Sequence, residues 1–368
     1  MAGGGTAGHV IPLLAVAREL RQRGHEVFFV GTERGLEARL VPAEGFELEK
    51  ISIGGLNRVG WRRRSSTLVR LPLATARSVA IARGVAGVFS LGGYAAGPPV
   101  AAALLRRIPV VAMEPNAFPG FTNRVVGRLV SRALIAFAET ASHFPKGRTE
   151  LTGLPVRDEF FALPPKPRAE TLDVLITGGS QGSRTLNQAA RQSWRLFREA
   201  GFPVRIVHQT GEAQYQELRE EFARSGIEGR VTPFIGAMPE AFAQADLLVC
   251  RSGAGAVAEL AAAGKASVLV PLPFAANDHQ ARNAEALARA GAALMVRDAE
   301  MNGEKLFALV RELAGDSETL PRMGAAARQF AKPGAARRAA EILEQVAGLA
   351  ALAGPGKRSS LRERLFYF

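Results

Sequence analysis

The stretch Leu172-Asp173-Val174-Leu175-Ile176-Thr177-Gly178-Gly179-Ser180-Gln181-Gly182-Ser183-Arg184 decides the fold. Its first six residues read as a buried strand and 184–200 as a helix, so the glycines between them form a strand-to-helix turn. Such a turn brings backbone N–H groups and a helix N-terminus against a diphosphate. Glycine is needed because a side chain blocks that approach and because the turn often requires φ > 0. Three further turns read the same way: Gly3-Gly4-Gly5-Thr6-Ala7-Gly8-His9, Gly92-Gly93-Tyr94-Ala95-Ala96-Gly97 and Arg251-Ser252-Gly253-Ala254-Gly255. One such loop is weak evidence. Four, split between the halves of the chain, predict an α/β protein with two Rossmann-like, doubly wound parallel-sheet domains facing each other across a cleft.

Alternation of strand and helix extends outward from these turns. Leu13, Val16, Ala17 and Leu20 sit at i, i+3, i+4 and i+7, with Gly24 as the helix stop. Strands are expected at 26–30, 85–91, 108–113, 133–137, 204–209, 246–250, 266–271 and 293–296. Helices are expected at 99–107, 212–225, 254–263, 279–290 and 335–347. The run Leu163-Pro164-Pro165-Lys166-Pro167-Arg168 reads as a semi-rigid spacer. These signals divide the chain into 1–157, a linker 158–168, 169–332, a returning helix in 333–352 and a disordered basic tail 353–368. Only Met1-Ala2 precede Gly3, so the strand that should open the first domain is missing from this reading.

Composition narrows the classes. The chain has 368 residues, 47% of them hydrophobic, enough for two cores. Cys250 is its single cysteine, which excludes an intrachain disulfide and any Cys-based zinc motif. No secretory signal pattern opens the chain. The uncharged run 84–105 is long enough for a membrane span, but Gly92-Gly93 and Pro98-Pro99 read it as strand, loop and helix. The net charge of +13, carried mostly by arginine, implies an anionic partner: a nucleotide sugar, a phospholipid surface or nucleic acid. No helix-turn-helix, RNP motif or aromatic ladder supports nucleic acid.

In open parallel sheets ligands bind beyond the carboxyl ends of the strands, where all four turns are expected. Glu259 lies one helical turn past Ser252-Gly253-Ala254, placed to accept hydrogen bonds from a ribose diol; the plain alternative is a solvated helix-face glutamate. Asn277-Asp278-His279-Gln280 opens a helix, either as an N-cap or as a cluster reading sugar hydroxyls. His9 closes the first glycine turn and is a candidate base, with a purely structural histidine as the alternative that the glycine context disfavours. Phe234-Ile235 is a candidate base-stacking pair, with core packing as the alternative. Trp61-Arg62-Arg63-Arg64 through Arg83 mixes basic and apolar residues, as suits an anionic bilayer surface or a solvated charged face.

Taken together, the glycine turns, His208-Gln209-Thr210-Gly211 and Cys250-Arg251-Ser252-Gly253-Ala254-Gly255 resemble the MurG family of GT-B glycosyltransferases (family 28) over about residues 3–350. The resemblance implies a cytosolic enzyme, peripheral on the inner face of the cell membrane. It implies transfer of N-acetylglucosamine, with inversion, from UDP-N-acetylglucosamine to the C4 hydroxyl of N-acetylmuramic acid in lipid I, without a bound metal or other cofactor. His9 matches the family base. The donor side would use Thr6, Gly8, Arg157, Ser180, Gln181, Gly182, Phe234, Ile235, Met238, Ser252, Gly253, Ala254, Glu259, His279 and Gln280. The acceptor side would use Gly5, Gly93, Tyr94, Glu114, Asn116 and Asn123. Four positions depart from the pattern: Ala7 stands where the family usually has glycine, Met113 and Pro115 make Met113-Glu114-Pro115-Asn116 of a usual His-Glu-Gln-Asn, and Leu154 replaces a frequent asparagine. Other GT-B enzymes, a UDP-sugar epimerase or an antibiotic-type transferase, and a non-catalytic anion- or membrane-binding protein are the competing expectations.

Overall fold

The computed structural model describes residues 1–4, 7–33, 35–53, 61–167 and 169–349, without the side chains of 7, 61–70 and 276. Gly5, Thr6, the side chains of Trp61–Arg64 and the tail 353–368 therefore lie outside the described residues. The chain forms two compact units, Met1–Pro155 with Gly334 onward, and Val156–Pro333.

The first unit is built from β1 (Ala2–Gly3), α1 (Ala7–Gln22), β2 (Phe28–Gly31), α2 (Glu37–Ala43), β3 (Glu47–Lys50), α3 (Trp61–Ile81), β4 (Val88–Gly92), α4 (Gly97–Leu105), β5 (Val110–Glu114), α5 (Phe121–Val126), β6 (Arg132–Ile135) and β7 (Thr149–Leu151). Its sheet is parallel throughout, in the order β3-β2-β1-β4-β5-β6-β7. The opening strand that the sequence lacked room for is present. Ala2 pairs with Val30 on one side and Ser90 on the other, Gly3 pairs with Gly92, and the Met1 amino group donates to Phe28 O at 2.7 Å. Two residues suffice because a central strand draws ladder bonds from both neighbours.

The second unit holds β8 (Leu172–Thr177), α6 (Arg184–Glu199), β9 (Val204–Gln209), α7 (Tyr215–Ser225), β10 (Glu228–Thr232), α8 (Met238–Gln244), β11 (Leu247–Cys250), α9 (Ala254–Ala263), β12 (Ala266–Leu269), α10 (His279–Arg289), β13 (Ala293–Met295), α11 (Gly303–Ala314) and α12 (Thr319–Arg328). Its sheet is also parallel, in the order β10-β9-β8-β11-β12-β13. The segment read as a spacer is partly built into this unit. Phe160 is fully buried, edge-on to Phe242 with ring centroids 5.0 Å apart, and Lys166 pairs with Asp173 and Asp246. A final helix, α13 (Ala335–Ala347), belongs to the first unit: Glu344 accepts from Arg23 and His25, and Arg338 is forked onto Glu150.

Leu13, Val16, Ala17 and Leu20 are all buried, as their helical spacing predicts. Strands β3 and β7 escaped the sequence reading. Both are sheet edges, where one side faces solvent and polar runs such as Glu47-Leu48-Glu49-Lys50 hide the pattern. Helix α4 starts at Gly97, two residues earlier than its expected boundary, because proline in a first helical turn loses no hydrogen bond. The run 84–105 is thus strand, turn and short helix. Among the described residues no helix is long and apolar enough to cross a membrane.

Candidate functional site

Both sheets reverse strand order at one point, between β1 and β4 in the first unit and between β8 and β11 in the second. A crevice opens at the carboxyl end of such a reversal because the two flanking loops diverge to opposite faces of the sheet. Each of the four glycine turns follows one of these four strands. The chain therefore carries a pair of phosphate-type turns at each switch point.

In the second unit the first turn is held by steric fit. Gly179 and Gly182 have φ of +84° and +72°, and a Cβ on Gly182 would collide with Thr210 O. Ser180 and Gln181 stand exposed at the tip. Ser183 caps α6, its hydroxyl accepting from Leu186 N at 3.3 Å, a bond worth about 1 kcal/mol. Arg251 braces the second turn. Its guanidinium donates to Ser183 Oγ at 2.6 Å, to Val270 O and Pro271 O at 3.1 Å each, and to Asp298 at 2.5 Å; Thr185 donates to the other Asp298 oxygen at 2.9 Å. Ser252 is fully buried, donating to Gln280 O at 2.8 Å, while its own carbonyl accepts from Asn283 at 3.1 Å. The Gln280 carboxamide oxygen accepts from Leu272 N at 2.9 Å. Ser252 and Gln280 are thus brought together as one hydrogen-bonded joint. Gly253 occupies the extended N-cap of α9 and offers no side-chain cap, so amides of the first turn, beginning at Ala254, keep their donors.

Glu259 lies one turn further along α9, half-buried, and Arg157 reaches to 4.0 Å from its carboxylate. Burial pushes the Glu259 pKa up to about 7, and the Arg157 charge pulls against that rise. Arg157 is itself seated on the Phe160 ring, 5.0 Å from its centroid. After β10, Phe234 is 61% exposed and Ile235 buried, so the two split between solvent and core. Both line a surface pocket with Arg230, Thr232 and Glu240, and half-buried Met238 begins α8 next to it. Asn277 and Asp278 have φ of +55° and +54°. Asp278 stands at the N-cap of α10 but makes no side-chain cap bond, which corrects the capping reading. Left-handed non-glycine residues cost of order 1 kcal/mol or more each and persist where surrounding structure imposes them; here they place His279 and Gln280 at the start of α10.

In the first unit, exposed Gly8 and half-buried His9 lie in the first turn of α1. A Cβ on Gly93 would lie 3.8 Å from the His9 ring, so the second turn passes beside the imidazole. Tyr94 follows, half-buried, in a short 3-10 turn. Glu114, at the end of β5, is buried and fully engaged. One carboxylate oxygen accepts from Asn116 N and Nδ2 at 3.0 Å, the other from Gly120 N and Asn123 Nδ2 at 2.9 Å. Burial pushes its pKa up while these donors pull it down. Asn123 also donates to Met113 O, and Thr122 donates to Gly93 O at 3.0 Å. Glu114 and Asn123 therefore build the 114–123 loop and moor it to the Gly93 turn. Met113 and Leu154, two of the departures from the family pattern, are buried apolar core residues.

Sequence reasoning passed over three supports. Glu37 lies buried beneath the first turn, accepting from Thr32 N and Oγ1 at 3.0 and 2.8 Å, and a Cβ on Gly4 or Gly35 would strike it. Asp298 reaches Arg251 from far along the chain and has no local signal. Gln209 stands in the quoted His-Gln-Thr-Gly motif, which was a usable signal, and its role is taken up below. Among the described residues no group of three His, Cys, Asp or Glu side chains gathers as a metal-ligand cluster.

The sequence matches the glycosyltransferase family 28 N-terminal domain over residues 1–135 and the family 28 C-terminal domain over residues 173–339. It is 69% identical over 94% of its length to the UDP-N-acetylglucosamine–N-acetylmuramyl-(pentapeptide) pyrophosphoryl-undecaprenol N-acetylglucosamine transferase of Solibacter usitatus, covering 95% of that protein. The Myxococcus xanthus protein of the same name is 44% identical over 93% of this chain and 91% of its own. The crystal structure of Acinetobacter baumannii MurG superposes with a TM-score of 0.79 at 34% identity, covering 93% of this chain and 97% of that one. A UDP-GlcNAc 2-epimerase from Neisseria meningitidis shares the fold alone, with a TM-score of 0.64 at 13% identity over 93% of this chain and 98% of that one. With both family domains matched in order along two switch-point sheets, this chain belongs to glycosyltransferase family 28.

Proposed function

We propose that the chain transfers N-acetylglucosamine from UDP-N-acetylglucosamine to the C4 hydroxyl of N-acetylmuramic acid in lipid I, giving lipid II for peptidoglycan synthesis. The carrying observation is the second unit's switch point: two amide-bearing turns follow the adjacent strands β8 and β11, and α9, which the second turn opens, carries Glu259 at 4.0 Å from Arg157. A ribose diol donates to the Glu259 carboxylate, the Phe234–Ile235 edge takes the uracil with Met238 beside it, and His279 and Gln280 lie toward the sugar. Negative charge develops on the leaving diphosphate as the glycosidic bond breaks. Amides of the 178–182 turn and of the α9 N-terminus, with Arg157, stabilise that charge.

The first unit holds the acceptor, with Gly93, Tyr94 and the loop that Glu114, Asn116 and Asn123 build. His9 accepts the C4 hydroxyl proton as the oxygen attacks the anomeric carbon, inverting it. A chemistry run on amides and arginine needs no divalent ion, so chelators should leave the rate unchanged. The acceptor's lipid places this unit against an anionic membrane face on the cytoplasmic side. Exposed Leu73, Leu105, Phe121, Val125 and Leu129, with exposed Arg106, Arg107, Arg124 and Arg128, support that placement.

The test is incubation with UDP-N-acetylglucosamine with and without a lipid I analogue. Release of UDP only when the acceptor is present is the expected result. Conversion of the nucleotide sugar to its 2-epimer without acceptor would replace the transfer reading with epimerisation.

A further inference from the structure

Gln209 ends β9 and is 1% exposed. Its amide nitrogen donates to Gly179 O at 2.9 Å and to Thr177 Oγ1 at 3.1 Å. Its amide oxygen accepts from Ile235 N at 2.8 Å. One end of the carboxamide thus grips the 178–182 turn and the other grips the Phe234–Ile235 edge. The neighbouring backbone reinforces the link: Thr210 N and Gly211 N donate to Thr232 O and Pro233 O, and Thr177 Oγ1 also accepts from Gly179 N.

The geometry points to Gln209 as a positioning residue that couples the phosphate-binding turn to the base-binding edge, so that neither is set independently of the other. This rests on the donor-site reading above. In a planar trans peptide the carbonyl and the following N–H point in opposite directions. Fixing Gly179 O therefore aims the Ser180 N–H away from Gln209. In the same way, fixing Ile235 N–H sets the plane of the Phe234–Ile235 peptide. A carboxamide meets both demands, since it donates at one end and accepts at the other. An ionised glutamate accepts only, and methionine fills the volume but does neither. A protonated glutamate again donates once and accepts once.

That chemistry supplies the test. UDP affinity is measured by calorimetry for wild type, Gln209→Met and Gln209→Glu at about pH 5.5 and about pH 8.5, each variant referred to wild type at the same pH. Burial without a neighbouring cation raises a carboxyl pKa, so the introduced acid is neutral at the lower pH. The strand neighbour His208 points to the opposite face, and burial holds it neutral by lowering its pKa to about 3. Gln209→Met is expected to weaken UDP about tenfold at both pH values, the loss of more than one buried hydrogen bond. Gln209→Glu is expected to bind within about threefold of wild type at the lower pH and about tenfold or more weaker at the higher. Thermal unfolding of each variant shows whether the fold is kept. Unchanged affinity in Gln209→Met, or a Gln209→Glu deficit that does not depend on pH, overturns the coupling while leaving the donor site standing. A wild-type chain that binds no UDP overturns the donor-site reading and this inference with it.

Discussion

The guanidinium of Arg157 and the carboxylate of Glu259 lie 4.0 Å apart in the second unit, one reaching in from the segment before β8, the other from α9. Glu259 is half-buried and Arg157 exposed, and the two influences on Glu259 oppose each other: burial favours its neutral form, the arginine its charge. The balance leaves the carboxyl titrating near neutrality, at about 7.

UDP affinity should consequently depend on pH through Glu259. Only the carboxylate accepts from both ribose hydroxyls, so below pH 7 a proton must leave before binding. The dissociation constant should fall as pH rises through about 7 and level off above it, by up to about tenfold per pH unit on the acid side. Calorimetry from pH 5.5 to 8.5 checks this, with Glu259→Gln as the reference that removes the nucleotide's own titration. Identical slopes in the two proteins would detach Glu259 from the ribose. In Arg157→Ala the midpoint should move upward, because the influence that lowers the pKa is gone.

The same group sets a stability trend. A carboxyl whose folded pKa is raised binds its proton more tightly in the native state. Its stabilising contribution is full below the unfolded value of 4.5 and is lost as pH rises to about 7. Glu259→Gln should therefore gain in melting temperature relative to wild type across that window. A difference that stays constant with pH would contradict the assignment.

Gly182→Ala should damage the donor turn. The residue sits at φ +72° with its missing Cβ aimed at Thr210 O, so an alanine adds backbone strain of about 1–3 kcal/mol and a collision besides. Loss of stability together with weakened UDP binding is expected, read by denaturant unfolding and calorimetry. Wild-type values for both would show that the turn has room to spare.

Arg251 and Asp298 should behave as one unit. Both are largely buried, and Arg251 also holds two carbonyls and the Ser183 hydroxyl. Arg251→Met should cost about 3 kcal/mol because it strands a buried carboxylate and several acceptors. A double-mutant cycle with Asp298→Asn should show coupling of about 1 kcal/mol or more; additive losses would mean the two act separately.

His9→Gln should lower kcat by about 10²- to 10⁴-fold, the usual worth of a positioned base. UDP affinity should change far less than turnover, since most of the UDP-binding groups belong to the second unit. Equal turnover in the two proteins would retire His9 as the base.

Local chemistry alone determined much of this protein. Four glycine turns between apolar strands and amphipathic helices dictate parallel α/β units, because only that arrangement satisfies the turn geometry and the two periodicities together. Motif order along the chain also named the family. Other features depended on residues far apart in sequence. Ala2 and Gly3 form a strand only because Val30, Ser90 and Gly92 flank them. Asp298 becomes a brace only when β13 brings it beside Arg251. Glu114 and Asn123 look like ligand contacts in a motif, yet folding turns them toward each other and the loop they hold. Hydrogen-bond partners and burial are set by which strands become neighbours, and neighbourhood in a sheet is a property of the packed chain rather than of any window along it.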